Sequence, residues 1–77
     1  MRIEILGMEF PRCKQLYSSA EAAVRALGVE AELVRVEDLG EIAKYRVLST
    51  PAPVVDGKVR AAGRMLTPEQ IKAYLSE

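Results

Sequence analysis

The sequence predicts an α/β (α+β) fold with the element order βαβαββα, in which three helices accompany a four-stranded mixed sheet. An apolar strand at Ile3–Leu6 precedes a long helical stripe, and a second strand follows that helix. Strands joined by a helical crossover are parallel, whereas the later Asp56-Gly57 pair is typical of an antiparallel hairpin. The length of 77 residues predicts one domain, covering residues 1–77.

The first helix is predicted over Pro11–Leu27, with proline at its first position and Gly28 as its C-terminal stop. Apolar residues recur along it at three- and four-residue steps, which predicts one buried stripe. These residues are Cys13, Leu16, Tyr17, Ala20, Val24 and Leu27. A second strand is predicted at Glu30–Val36.

Asp38 is the predicted N-cap of a short helix that ends at about Lys44 or Tyr45. This helix is expected to bury Leu39, Ile42 and Ala43.

The hairpin is predicted to pair Ala52–Val55 with Lys58–Ala62 around a type I′ turn. Pro51 and Pro53 lack the N–H needed for ladder bonds, so we expect unpaired positions in the first arm. The last helix begins after Thr67, with Pro68 at its first position and Gln70 as the reciprocal cap. Its predicted inward residues are Ile71, Tyr74 and Leu75.

Composition excludes several classes of function. The net charge is +0, which is unfavourable for holding a nucleic-acid backbone. There is no apolar run of the ~20 residues that cross a membrane, so no membrane partner is expected. The first residues carry no signal-peptide pattern, which predicts a cytoplasmic protein. With no histidine and one cysteine, neither a Cys/His metal site nor an internal disulfide can form, and no cofactor is expected.

Cys13 is the candidate catalytic residue, because it lies in the first turn of the first helix. Helix amides and the neighbouring Arg12 and Lys14 favour a thiolate there. The apolar stripe, however, points the sulfur inward, where a free cysteine packs as a small hydrophobe. Both a reactive and a shielded Cys13 are compatible with this pattern, and the shielded one is favoured.

The run Phe10-Pro11-Arg12-Cys13 after the first strand, with Ser49-Thr50-Pro51 before the third, resembles the thioredoxin fold. More narrowly, the chain is similar to the small thioredoxin-like or archaeal glutaredoxin-like redox-active disulfide proteins. Their loop reads Cys-x-x-Cys, so the resemblance places Cys13 at the resolving position and Phe10 at the nucleophilic one.

The resemblance implies a cis bond before Pro51 and a groove in which Thr50 offers backbone groups to an extended peptide. The candidate binding residues are Phe10, Pro11, Arg12, Thr50 and Pro51. The expected partner is a protein or extended peptide, including one that contains a thiol.

Three functional hypotheses follow. The favoured one is a binding module without a dithiol cycle, since that cycle needs a second sulfur. The second is a monothiol redox protein or sensor that forms mixed disulfides through Cys13, so the sequence leaves open whether the chain is an enzyme. The third is a homodimer, linked by Cys13 or by a sheet edge, and the expected state is a monomer or weak dimer. Glutathione use is not expected, because Ala62-Gly63-Arg64-Met65 differs from the Gly-Gly-Cys-Asp sequence of many glutaredoxins.

Overall fold

The computed structural model describes residues 1–7, 11–47, 49–61, 63 and 66–76. Seven elements follow one another in the predicted order βαβαββα. They are β1 (Arg2–Leu6), α1 (Pro11–Leu27), β2 (Glu32–Val36), α2 (Leu39–Lys44), β3 (Ala52–Val55), β4 (Lys58–Val59) and α3 (Pro68–Leu75). The predicted fold class, a four-stranded mixed sheet with three helices, is therefore confirmed.

The strands lie in the order β2-β1-β3-β4. β1 runs parallel to β2, with Ile3 opposite Leu33, and antiparallel to β3, with Ile3 opposite Val55. β3 and β4 are antiparallel and join through Asp56 and Gly57, both at positive φ, as a type I′ turn requires. β1 is therefore a central strand, and its carboxyl end lies beside the start of β3.

Alternate side chains of β1 enter two apolar clusters on opposite faces of the sheet. Ile3 and Ile5 pack with residues of α1 and α3, whereas Leu6 packs with Ile42 of α2. The first cluster also contains Leu16, Ala20, Ala23, Leu66, Ile71 and Leu75, and the second Ala52 and Val54. The two faces anchor α1 and α2, which frame the end of β1.

The helix caps agree with the sequence, but part of the predicted burial is wrong. Asp38 accepts a hydrogen bond from the Glu41 amide at 3.0 Å, yet Leu39 is 68% exposed and Ala43 is exposed. A helix of six residues makes less than two turns, and α2 buries Ile42 alone. Leu27 is also 36% exposed, because burial in α1 ends one turn before the helix does.

β4 is shorter than the predicted segment Lys58–Ala62, and Pro53 explains why. The Asp56 amide donates to the Arg2 carbonyl at 2.8 Å, so alternate residues of β3 bond to β1 and Pro53 turns its nitrogen towards β4. Its carbonyl accepts from the Arg60 amide at 3.0 Å, but the ring nitrogen cannot return a bond. The ladder therefore weakens directly after Val59.

Candidate functional site

Cys13 is the third residue of α1 and lies just beyond the carboxyl end of β1. It is a free cysteine, and only 5% of its surface is exposed. The predicted burial of this side chain is confirmed. The sulfur belongs to the apolar side of α1, which also buries Leu16, Ala20 and Ala23.

Gly7 brings three parts of the site together. Its amide donates to the Val36 carbonyl at 2.9 Å, which continues the β1–β2 pairing one residue past the strand. A Cβ on Gly7 would overlap the Sγ of Cys13, and would lie 3.4 Å from the Thr50 Cβ and 3.7 Å from the Pro51 Cα. Its φ of 150° is also one that side-chain-bearing residues rarely adopt. Only glycine allows Cys13, Thr50 and Pro51 to meet around one backbone position.

A second glycine, Gly63, connects the other side of the site. Its amide donates to the Pro51 carbonyl at 2.9 Å, and its own carbonyl accepts from Arg12 Nη2 at 2.9 Å. A Cβ at this position, where φ is 68°, would lie 2.6 Å from the Cβ of Ser49. One residue thus joins the start of α1 to the segment before β3.

Pro51 and Thr50 differ in accessibility. Pro51 is almost fully buried and follows a cis peptide bond, whereas Thr50 is exposed. Thr50 forms no hydrogen bond with any other residue that the structure describes. Its backbone and side chain therefore form part of the surface above Gly7 and Cys13.

The structure places five of the six predicted site residues around one end of the sheet, where Cys13, Thr50 and Pro51 meet at Gly7. Pro11 and Arg12 are exposed in the first turn of α1, and Arg12 reaches the loop that contacts Pro51. Phe10 lies outside the described residues. Sequence reasoning did not assign a role to Gly63, although a glycine in a turn after a hairpin signals a backbone contact of this kind.

Among the titratable groups of the described ranges, Tyr45 has a shifted pKa, and it packs against the apolar cluster on the α2 side of the sheet. Its hydroxyl donates to the Glu4 carboxylate at 2.6 Å. That hydrogen bond, together with burial and the Glu4 charge, raises the pKa of Tyr45 above its ordinary value of 10.0.

The described ranges contain neither a cluster of potential metal ligands nor a helix suited to crossing a membrane. No three Cys, His, Asp or Glu side chains within them lie close enough to hold a metal ion. Likewise, none of the helices in this part of the chain has the length and apolar character needed to cross a membrane.

Comparison with known proteins agrees with this geometry. A family model described as a thioredoxin domain matches residues 1–76. A thioredoxin of Methanothermobacter thermautotrophicus is 33% identical over 76 residues, covering 99% of this chain and 99% of the relative. A thioredoxin of Methanocaldococcus jannaschii is 38% identical over 73 residues, covering 95% and 84% of the two chains. By the extent of these matches and by its sheet order, the chain belongs to the thioredoxin-domain family and is related to thiol–disulfide oxidoreductases.

Proposed function

We propose that this protein binds an extended segment of another protein at the surface around Thr50, without running a dithiol cycle. The main observation in support is that the protein's single cysteine is buried. The chain has one cysteine, and that cysteine is buried against Gly7. A dithiol cycle needs an accessible attacking thiol and a second thiol to resolve the mixed disulfide.

The exposed residues of the binding surface are Pro11, Arg12 and Thr50, and the buried Pro51 directly follows Thr50 in the chain. The sequence adds Phe10 to this surface. The Pro51 carbonyl is already used by Gly63, so the backbone that remains for a partner belongs to Thr50. An extended peptide gains affinity from main-chain hydrogen bonds and specificity from neighbouring side chains. Thr50 supplies the main-chain hydrogen bonds, and the side chains of Arg12 and Phe10 supply the specificity.

The proposal is best tested by binding of peptides of defined sequence rather than by capture of proteins from a crude cell extract. Linear peptides selected from a random library against the full chain should bind at the Thr50 end of the sheet, as mapped by amide chemical shifts. Thr50→Glu should weaken that binding at least about tenfold, since it places a charge against the paired backbone. Phe10→Glu should act in the same direction.

The matched control is Lys58→Glu, which places a glutamate at the start of β4, opposite Val55 at the far end of β3. Affinity for the selected peptide should be unchanged in this variant and in Cys13→Ser. Peptide binding that survives Thr50→Glu, or that is lost in Cys13→Ser, would reject the proposal.

The thiol-based alternative makes a different prediction about Cys13. A shielded sulfur should react with iodoacetamide far more slowly in the folded protein than in urea, because opening must come first. Equal rates in the two states would mean an accessible thiol and would favour the monothiol function.

A further inference from the structure

A groove runs between α1 and the outer edge of β2, away from Cys13 and Thr50. It has a volume of ≈ 190 Å³ and is lined by Tyr17, Glu21, Val24, Arg25 and Leu33. Its lining combines aromatic and aliphatic side chains with one acidic and one basic side chain. We call this surface the β2 groove.

The strand beside the groove has a partner on one side only, since β2 is at the end of the sheet order. The Glu32 amide donates to the Met1 carbonyl, and the Val36 carbonyl accepts from the Gly7 amide, both at 2.9 Å. In a parallel ladder this alternation turns the N–H and C=O of Leu33 away from β1. An edge of this kind is a template for a further strand.

The charged side chains of the β2 groove indicate which kind of strand could pair with the outer edge of β2. Glu21 and Arg25 lie four residues apart on α1, a spacing at which such side chains commonly pair. Within the described part of the chain, however, neither side chain has a hydrogen-bond or ion-pair partner. Among the described residues, the groove therefore presents one unmatched charge of each sign beside apolar side chains.

From this arrangement we propose that the β2 groove and the outer edge of β2 form the interface of a homodimer. A twofold axis through the edge makes the two β2 strands antiparallel and joins the sheets into one of eight strands. The two α1 helices then run antiparallel, so Glu21 of each copy faces Arg25 of the other. A second copy is the occupant that matches both charges at once, because a twofold interface must be self-complementary.

Sedimentation equilibrium of the full chain, in reductant and up to about 1 mM, tests the proposal. We expect a reversible monomer–dimer equilibrium. Glu21→Arg should weaken dimerisation at least about tenfold, because it turns two symmetric ion pairs into like-charge contacts. The double variant Glu21→Arg/Arg25→Glu reverses both charges and should recover the dimer to within about threefold of the original.

The matched control is Glu41→Arg, which makes the same change of net charge on α2, across the sheet from α1. It should leave dimerisation unchanged. Hydrogen exchange gives an independent readout, because the Leu33 amide should exchange more slowly as the protein concentration rises.

A protein that stays monomeric at all concentrations would overturn the proposal. So would a dimer that is indifferent to Glu21→Arg, a double variant that fails to recover, or slowed exchange confined to the Thr50 end. A loss of peptide binding at Thr50 leaves these results untouched, so the two proposals fail independently.

Discussion

At the scale of single residues, Gly7 determines how closely the site is packed. Its missing side chain leaves room for the Cys13 sulfur, and a carbon added there would also lie against Thr50 and Pro51. A glycine directly after an apolar strand is a local signal for the end of that strand, but the contact with the sulfur depends on how α1 returns over the sheet. No local pattern encodes that distance, so the proximity of Cys13, Thr50 and Pro51 was predicted through family resemblance alone.

Gly7→Ala should lower the free energy of unfolding by about 1–3 kcal/mol, measured in urea, because its methyl group meets the Cys13 sulfur. In the double variant Gly7→Ala/Cys13→Ala the sulfur is absent, so the total loss should be smaller than the sum of the two single losses. The control is Gly28→Ala, at φ 66° with no atom within 4 Å of the added carbon, which should show no coupling to Cys13→Ala. Strict additivity at Gly7 would contradict the overlap.

At the scale of elements, the sequence correctly predicted the features that depend on residues close together in the chain, such as helix caps. The capping box of α3 forms as predicted, with the Gln70 amide donating to Thr67 Oγ1 at 3.2 Å and the Thr67 amide to Gln70 Oε1 at 2.9 Å. The length of β4 and the exposure of Leu39 were wrong, because both depend on which neighbour an element meets. The residues of Lys58–Ala62 favoured a long second strand in the hairpin. The Pro53 nitrogen faces that strand, however, and cannot donate a hydrogen bond to it.

Thr67→Ala should therefore cost about 1 kcal/mol of unfolding free energy, since it removes one half of the α3 capping box. Thr50→Ala is the matched control, because Thr50 has no hydrogen bond to another described residue, and its cost should stay within about 0.5 kcal/mol. Equal losses at the two threonines would show that the cap contributes nothing specific. Urea unfolding at neutral pH measures both.

At the scale of the whole molecule, the two apolar clusters supply the stability, and Glu4 is a carboxylate beside them. Its side chain is 12% exposed, accepts the Tyr45 hydroxyl and lies 3.7 Å from Arg2 Nε. Tyr45 holds its proton more tightly in the folded state than in the unfolded state. It therefore contributes stability that is complete below about pH 10 and is lost as the pH rises through its higher folded pKa.

Tyr45→Phe should lower stability by about 1 kcal/mol near neutral pH and flatten its decline above pH 10, because the titrating hydroxyl is gone. Tyr17→Phe makes the same change at a hydroxyl without a hydrogen-bond partner in the described ranges, and should keep the original slope. Thermal unfolding between pH 7 and 11 measures these slopes. An identical decline in Tyr45→Phe and the unaltered chain would refute the role of the Glu4 hydrogen bond.

The link from Arg12 through Gly63 to Pro51 has an evolutionary consequence. Both of its hydrogen bonds end on main-chain carbonyl oxygens, and only Arg12 contributes a side chain. Surrounding side chains can therefore be exchanged over generations without altering the shape that holds Thr50 in place. Related proteins can diverge in what they recognise while inheriting the same framework.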